Sequence, residues 1–171
     1  MRRILVAVDS TEVAREAARV GLDLAGRVGA RVTLVHVLPA SVAGGETPDF
    51  ADFAAFERAC EDYASGLLAE MRQLTGRSGP PTETSVLHGE PAEAISQAAA
   101  AEDVDLVIVG TRARGPIART LLGSVADTLL RHCPKPLMVV PEAPRKVRTP
   151  RESTEQELDE AVAPSTLGVS G

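Results

Sequence analysis

Short apolar runs alternate with amphipathic stretches along most of the chain. Ile4 to Val8 is continuously apolar, as expected of a parallel strand buried on both faces. Ser10 follows as a predicted helix cap with Glu12 in the first turn. Val13, Ala17, Val20, Leu24 and Val28 form an inward stripe, and Gly29 ends the helix. Arg31 to Leu38 predicts the second strand, stopped by Pro39. From about Phe50 to Gly76 a longer helical spacing runs through Phe53, Phe56, Ala59 or Cys60, Tyr63, Leu67, Met71 and Leu74, a face expected to cover the sheet. Thr82 to His88 predicts the third strand, the least apolar and therefore an edge. Gly89-Glu90-Pro91 opens a helix to about Ala101, and Leu106 to Val109 is a fourth, buried strand. Ser124 to His132 is the last helix and Leu137 to Val140 the fifth strand, between Pro136 and Pro141.

Such alternation predicts right-handed βαβ crossovers and an α/β, doubly wound, Rossmann-like parallel sheet. Its ligands belong beyond the strand C-termini, where the winding reverses. The loops after Val8 and Val109 are therefore the places to expect chemistry. After Pro141 the periodicity gives way to a basic and then an acidic stretch, so the domain is expected over 1–141 and a charged, disordered tail over 142–171.

The 171 residues suit one domain. With 44% hydrophobic and 25% charged residues they can bury a core. No apolar run reaches the roughly 18 residues of a spanning helix. Asp9 cuts the first run below the h-region of a signal peptide, so a cytoplasmic, membrane-free protein is expected. A net charge of −6 argues against polynucleotide, which is held mainly by Lys and Arg. Phe50, Phe53, Phe56 and Tyr63 lie in one segment and read as core packing rather than a stacking platform. Cys60 and Cys133 sit in no ligand cluster and read as reduced, packed thiols. His36, His88 and His132 share no motif with a base, nucleophile or ligand, which favours structural roles and no metal site.

The stretch from Gly110 to Val125 joins a buried strand to a helix. Small residues beside a helix N-terminus present open N–H groups to an anion, and Arg112, Arg114 and Arg119 add positive charge. It is no Walker A loop, because Pro116-Ile117 stands where Lys and Ser/Thr would hold phosphate and magnesium, and no G-x-G-x-x-G follows the first strand. Asp9, at the end of a central strand, is placed to contact a ligand or to hydrogen-bond the next turn; ligand contact is favoured. Ser124 and Asp127 make an S-x-x-D pattern that competes with phosphate contact by Ser124.

Several segments together resemble the universal stress protein family. They are Ile4-Leu5-Val6-Ala7-Val8-Asp9-Ser10, Leu34-Val35-His36-Val37, Gly89-Glu90-Pro91-Ala92-Glu93-Ala94-Ile95, Asp105-Leu106-Val107-Ile108-Val109-Gly110, Gly123-Ser124-Val125 and the run from Cys133 to Val140. The resemblance implies a five-stranded sheet in the order 3-2-1-4-5, the fold of the adenine nucleotide alpha hydrolases, and a homodimer paired through Leu137 to Val140. In one subgroup it also implies ATP bound through G-x2-G-x9-G-(S/T). Here Gly110, Ala113, Gly123 and Ser124 occupy those positions, with alanine for the second glycine.

By position the resemblance gives Asp9 and the Val37 backbone to the adenosine part, and Gly110 to the ribose side. Ala113, Gly123, Ser124 and Val125 fall to the phosphates, and Ser10 beside Asp9 and Arg112 with its positive charge are further candidate binding residues. It implies ATP, with AMP, ADP or cyclic AMP as alternatives and magnesium left open. The expectation is an adenine-nucleotide-binding protein with a stress-response or regulatory role. Any hydrolysis should be slow, since no general base, lysine phosphate clamp or metal-binding carboxylate pair is encoded. A nucleotide-free adaptor of the same fold is the first alternative, carried by Ala113. A nucleotide-processing enzyme is the second, and it lacks H-x-G-H and S-G-G-x-D-S signatures.

Overall fold

A computed structural model describes residues 1–39, 50–111 and 123–141. Its elements in chain order are β1 (Arg3–Ala7), α1 (Glu12–Val28), β2 (Arg31–Leu38), α2 (Phe50–Arg72), a 3-10 turn (Gln73–Ser78), β3 (Thr82–His88), α3 (Pro91–Ala99), β4 (Val104–Thr111), α4 (Ser124–His132) and β5 (Leu137–Pro141). The strands form one parallel sheet in the order β3-β2-β1-β4-β5, so the winding reverses between β1 and β4.

Alternate residues of each strand feed two cores. Ile4, Val6 and Val8 of the β1 segment, with Val32, Leu34 and Ile108, pack under α1 and α2. Leu5, Val35, Val107 and Val109 pack under α3 and α4. This period of two, with apolar residues on both sides, is why the strands read as continuous hydrophobic runs. β3 is the polar edge that its composition predicts; none of its residues is fully buried.

The inward face of α1 is Ala14, Ala17, Ala18, Gly21, Leu22 and Ala25. The expected stripe is thus displaced: Val13 and Ala17 are buried, Val20 and Leu24 flank the core, and Val28 is exposed. Small side chains win this face because the helix lies close to the sheet. A Cβ on Gly21 would stand 2.6 Å from Val6 Cγ2. α1 begins one residue later than expected. Asp9 Oδ1 accepts the Thr11 N–H (2.9 Å) and the Thr11 hydroxyl, and Thr11 Oγ1 accepts the Ala14 N–H at 3.2 Å. Thr11 is therefore the cap, a contribution of about 1 kcal/mol, and Ser10 is left exposed outside the helix. Gly29 closes α1 in the left-handed region (φ 68°), as predicted.

α2 also departs from expectation. Ala64, Leu67, Leu68 and Met71 are buried, but Phe56 is 62% and Tyr63 57% exposed, so these two aromatics are not core. The 23-residue helix is about 34 Å long at about 1.5 Å per residue. The seven residues of β3 span only about 23 Å. The helix outruns the strand it packs on, and Phe56 borders a recess beside Leu38 and His88 at the ends of β2 and β3. Its C-terminal part tightens into the 3-10 turn after Arg72. The side chains of Phe50 and Phe53 lie outside the described residues.

At the N-terminal edge of the sheet, the β1–β4 register moves from Arg3↔Val104 to Ile4↔Leu106 and skips Asp105. The Asp105 carboxylate accepts the backbone N–H of Arg2 and, at 3.4 Å, that of Arg3. The Arg2 N–H, foremost, holds this carboxyl below the usual carboxylate range. Arg3 reaches across two strands to Thr33 Oγ1 (3.2 Å) and Glu83 Oε2 (3.1 Å).

The glycines of α1 give a paired test. Gly26→Ala, with nothing within 4 Å of its new Cβ, should stabilise the fold by about 1 kcal/mol through helix propensity. Gly21→Ala gains the same propensity but pays an overpacking cost of about 1–3 kcal/mol, for a net loss of roughly 1 kcal/mol. Urea midpoints at unchanged slope measure both. A stabilised Gly21→Ala would contradict the close helix–sheet contact.

Candidate functional site

β1 is shorter than the strands on either side of it. Its pairing ends at Ala7↔Val35 with β2 and at Ala7↔Val109 with β4. β2 continues beside β3 to Leu38↔His88, and β4 continues beside β5 to Thr111↔Pro141. The sheet therefore has a notch at the C-terminal end of its central strand, at the switch point where an α/β sheet binds ligands. A cleft of about 190 Å³ occupies it. Ala7, Val35 and Val109 form an apolar floor. Val13 and Ala14 of α1, Pro91 and Ile95 of α3, and Val125 of α4 supply the walls.

Polar groups stand at the rim. Val8 donates its N–H to the Val35 carbonyl (2.9 Å), so the odd-numbered residues of β2 direct their backbone groups toward β1. Val37 is the next of these, and β1 has already ended. Its N–H and C=O face the cleft that it lines. Asp9 lies on the rim with its carboxylate engaged by Thr11. Of the two readings open for Asp9, the turn-bonding one is realised, and the carboxylate also borders the cleft. Gly110 lines the cleft from β4 for a packing reason of its own. A Cβ there would stand 3.0 Å from the Val13 carbonyl carbon and oxygen, so a larger residue would push the first turn of α1 back from β4 by a few tenths of an ångström.

The structure thus brings Asp9, Val37, Gly110 and Val125 together around one cavity. It does not bring Ser10 into it. Gly123 is adjacent: its N–H donates to Thr111 Oγ1 at 3.3 Å, across the ends of the loop that leaves β4. Ser124 is exposed at the first position of α4, preceded by Gly123 as cap. The S-x-x-D capping reading fails because the helix begins at Ser124 itself, and Asp127 instead pairs with Arg131. Arg112, Ala113, Arg114 and Arg119 lie outside the described residues.

Sequence reasoning missed Thr11, Pro91, Ile95 and, most of all, His36 as lining groups. Nδ1 of His36 donates to the Val8 carbonyl at 2.8 Å. Its partner is 28 residues away and is a main-chain atom, which no spacing rule reveals.

A second recess of about 770 Å³ lies beside Leu38, Phe56 and His88. Glu57, Glu61 and Asp62 line it against Arg58 alone, an unfavourable setting for an anion. Among the described residues there is no group of three or more His, Cys, Asp or Glu that could hold a metal. No described helix is long and apolar enough to cross a membrane. Both cysteines are free thiols, half-buried rather than fully packed.

Residues 1–141 match the universal stress protein family. The chain belongs to that family. One universal stress protein relative, from Thermus aquaticus, is 35% identical over 142 residues, covering 81% of this chain and 98% of its own. The solved universal stress protein UspA of Lactobacillus plantarum is 25% identical with a TM-score of 0.66, over 81% of this chain and 97% of that one. A universal stress protein of Archaeoglobus fulgidus, solved in complex with dAMP, is 26% identical with a TM-score of 0.55, over 82% and 98%. Two more distant members share the fold. One is a universal stress protein in complex with cAMP (19% identity, TM-score 0.60, 81% and 96% covered), and the other is from Arabidopsis thaliana with AMP bound (18%, 0.62, 84% and 94%).

Proposed function

We propose that this universal stress protein binds an adenine nucleotide, ATP or a related mono-, di- or cyclic phosphate, in the notch beyond β1, and that occupancy serves a stress-response or regulatory role. The observation that carries the reading is the cleft itself. It has an apolar floor, with Val37 lining it where β2 has outrun β1 and Asp9 at its rim. A flat heteroaromatic base needs that combination: apolar contact on its faces, and a donor and an acceptor at its edge. About 190 Å³ is small against the roughly 300–1,000 Å³ of ordinary ligand pockets. It fits the adenosine end and leaves the phosphates to run past Gly110 toward positions 112, 113 and 123–125. The dAMP, AMP and cAMP complexes of the family members support the same ligand class.

In this reading Asp9 and Val37 hold the adenosine part, Gly110 the ribose side, and Arg112, Ala113, Gly123, Ser124 and Val125 the phosphates. If the phosphate loop needs positive φ at the position of the second glycine, alanine there costs about 1–2 kcal/mol, close to tenfold in affinity. The two free thiols suit a reducing cytoplasm.

Calorimetry with ATP, ADP, AMP and cyclic AMP tests this. At least one should bind, and at a hundredfold excess over its Kd should raise unfolding free energy by about 2.7 kcal/mol. Asp9→Asn keeps an acceptor for Thr11 and should weaken binding about tenfold, the value of a charge-assisted hydrogen bond. Ala113→Gly should tighten it. No heat and no melting shift with any of the four would leave the nucleotide-free adaptor.

β5 is proposed as the homodimer edge. The other edge, β3, carries Thr82, Glu83, Thr84 and Ser85, whereas β5 presents Leu137, Met138 and Val139 with Met138 36% exposed. An apolar open edge calls for a partner strand. Sedimentation at micromolar concentration should give a dimer that Met138→Lys dissociates; a wild-type monomer would contradict it.

A further inference from the structure

We infer that His36 is a positioning residue, which keeps the Val37 N–H out of the β1–β2 ladder and so presents it to the cleft. In a parallel pair the bonds are evenly spaced. Once Val8 donates to the Val35 carbonyl, the next rung is Val37 N–H to the Val8 carbonyl. That rung is not made. The Val8 carbonyl instead accepts from His36 Nδ1 at 2.8 Å, and the strand pairing stops at Ala7↔Val35. An acceptor oxygen requires a hydrogen on Nδ1, which fixes the donor role of that nitrogen.

The ring is steadied from its other side. Tyr63 of α2 meets it edge to face, with centroids 6.5 Å apart and planes at 73°. His36 lies on the α1/α2 side of the sheet while Val37 faces α3, so the imidazole can bond Val8 without filling the base site. It substitutes a side-chain donor for a main-chain one. The Val37 N–H is thereby left open beside an apolar floor, next to a Val37 C=O that lies past the end of β1, which is the arrangement a ligand edge requires. Without His36 the ladder would close by one rung and consume the Val37 N–H.

The consequence for affinity rests on the adenine-nucleotide reading; the consequence for the ladder does not. Two readouts on the full chain separate them. In the wild type without nucleotide, the Val37 amide should exchange with solvent much faster than that of Val35. In His36→Phe, which frees the Val8 carbonyl, the Val37 amide should become protected by tenfold or more, and AMP affinity should fall about tenfold, the worth of one hydrogen bond. His36→Asn places an amide N–H close to where Nδ1 stands and should restore both wild-type exchange and wild-type affinity. His36→Gln, whose donor sits further out, should behave as His36→Phe. A Val37 amide already protected in the wild type, or unchanged in His36→Phe, would overturn the inference whatever the nucleotide data show. If the exchange pattern holds while the wild type binds no nucleotide, the ladder device stands and the nucleotide reading fails.

Discussion

The early end of β1 is the constraint on which the rest depends. A central parallel strand normally runs the full depth of its sheet, because each unpaired backbone group buried there costs on the order of 1–3 kcal/mol. Here β1 stops at Ala7 while β2 and β4 continue. The groups that would be orphaned find local partners: Val8 N–H goes to Val35, Val8 C=O to His36, and Asp9 turns the chain by taking the Thr11 N–H. The termination is thus satisfied on the protein side except where Val37 looks into the cavity.

The helices follow from that notch. α1 starts directly above it and must lie close to the sheet, so its inward face is built of Ala and Gly, and Gly110 on β4 lets the first turn approach within van der Waals distance. α3 and α4 close the cavity from the opposite face through Pro91, Ile95 and Val125. The same small-residue packing that stabilises the two cores therefore shapes the cleft, and mutations in one are expected to register in the other.

Most of the fold was legible because its signals are local. Gly29, Pro39, Pro91 and Pro141 punctuate the chain at element ends, and β1, β2 and β4, inside the parallel sheet, are apolar on both faces. The displaced stripe of α1 was not legible: Ala and Gly read as weak core signals, yet they win where a helix must come near. Phe56 and Tyr63 misled because helical spacing alone does not say which of the spaced positions turns fully to the sheet; Ala64, Leu67, Leu68 and Met71 do. Thr11 displaced Ser10 as cap because Asp9 organises both its N–H and its hydroxyl, a three-residue arrangement that a single-residue rule overlooks. Asp9, Val37, Gly110 and Val125, named through the family resemblance, lie around one cavity. The role of His36 depends on a long-range contact to a main-chain oxygen and leaves no trace in residue spacing.

The positions named from the family resemblance and the notch left by the early end of β1 coincide at Asp9, Val37, Gly110 and Val125. The direct test of that convergence is an amide chemical-shift map of the full chain titrated with AMP. Saturable shifts should concentrate at Asp9, Val37, Gly110 and Val125 and spare the β3 edge from Thr82 to Ser85. Shifts centred instead on Glu57, Glu61 and His88, or none at saturating AMP, would contradict the assignment of the notch as the ligand site.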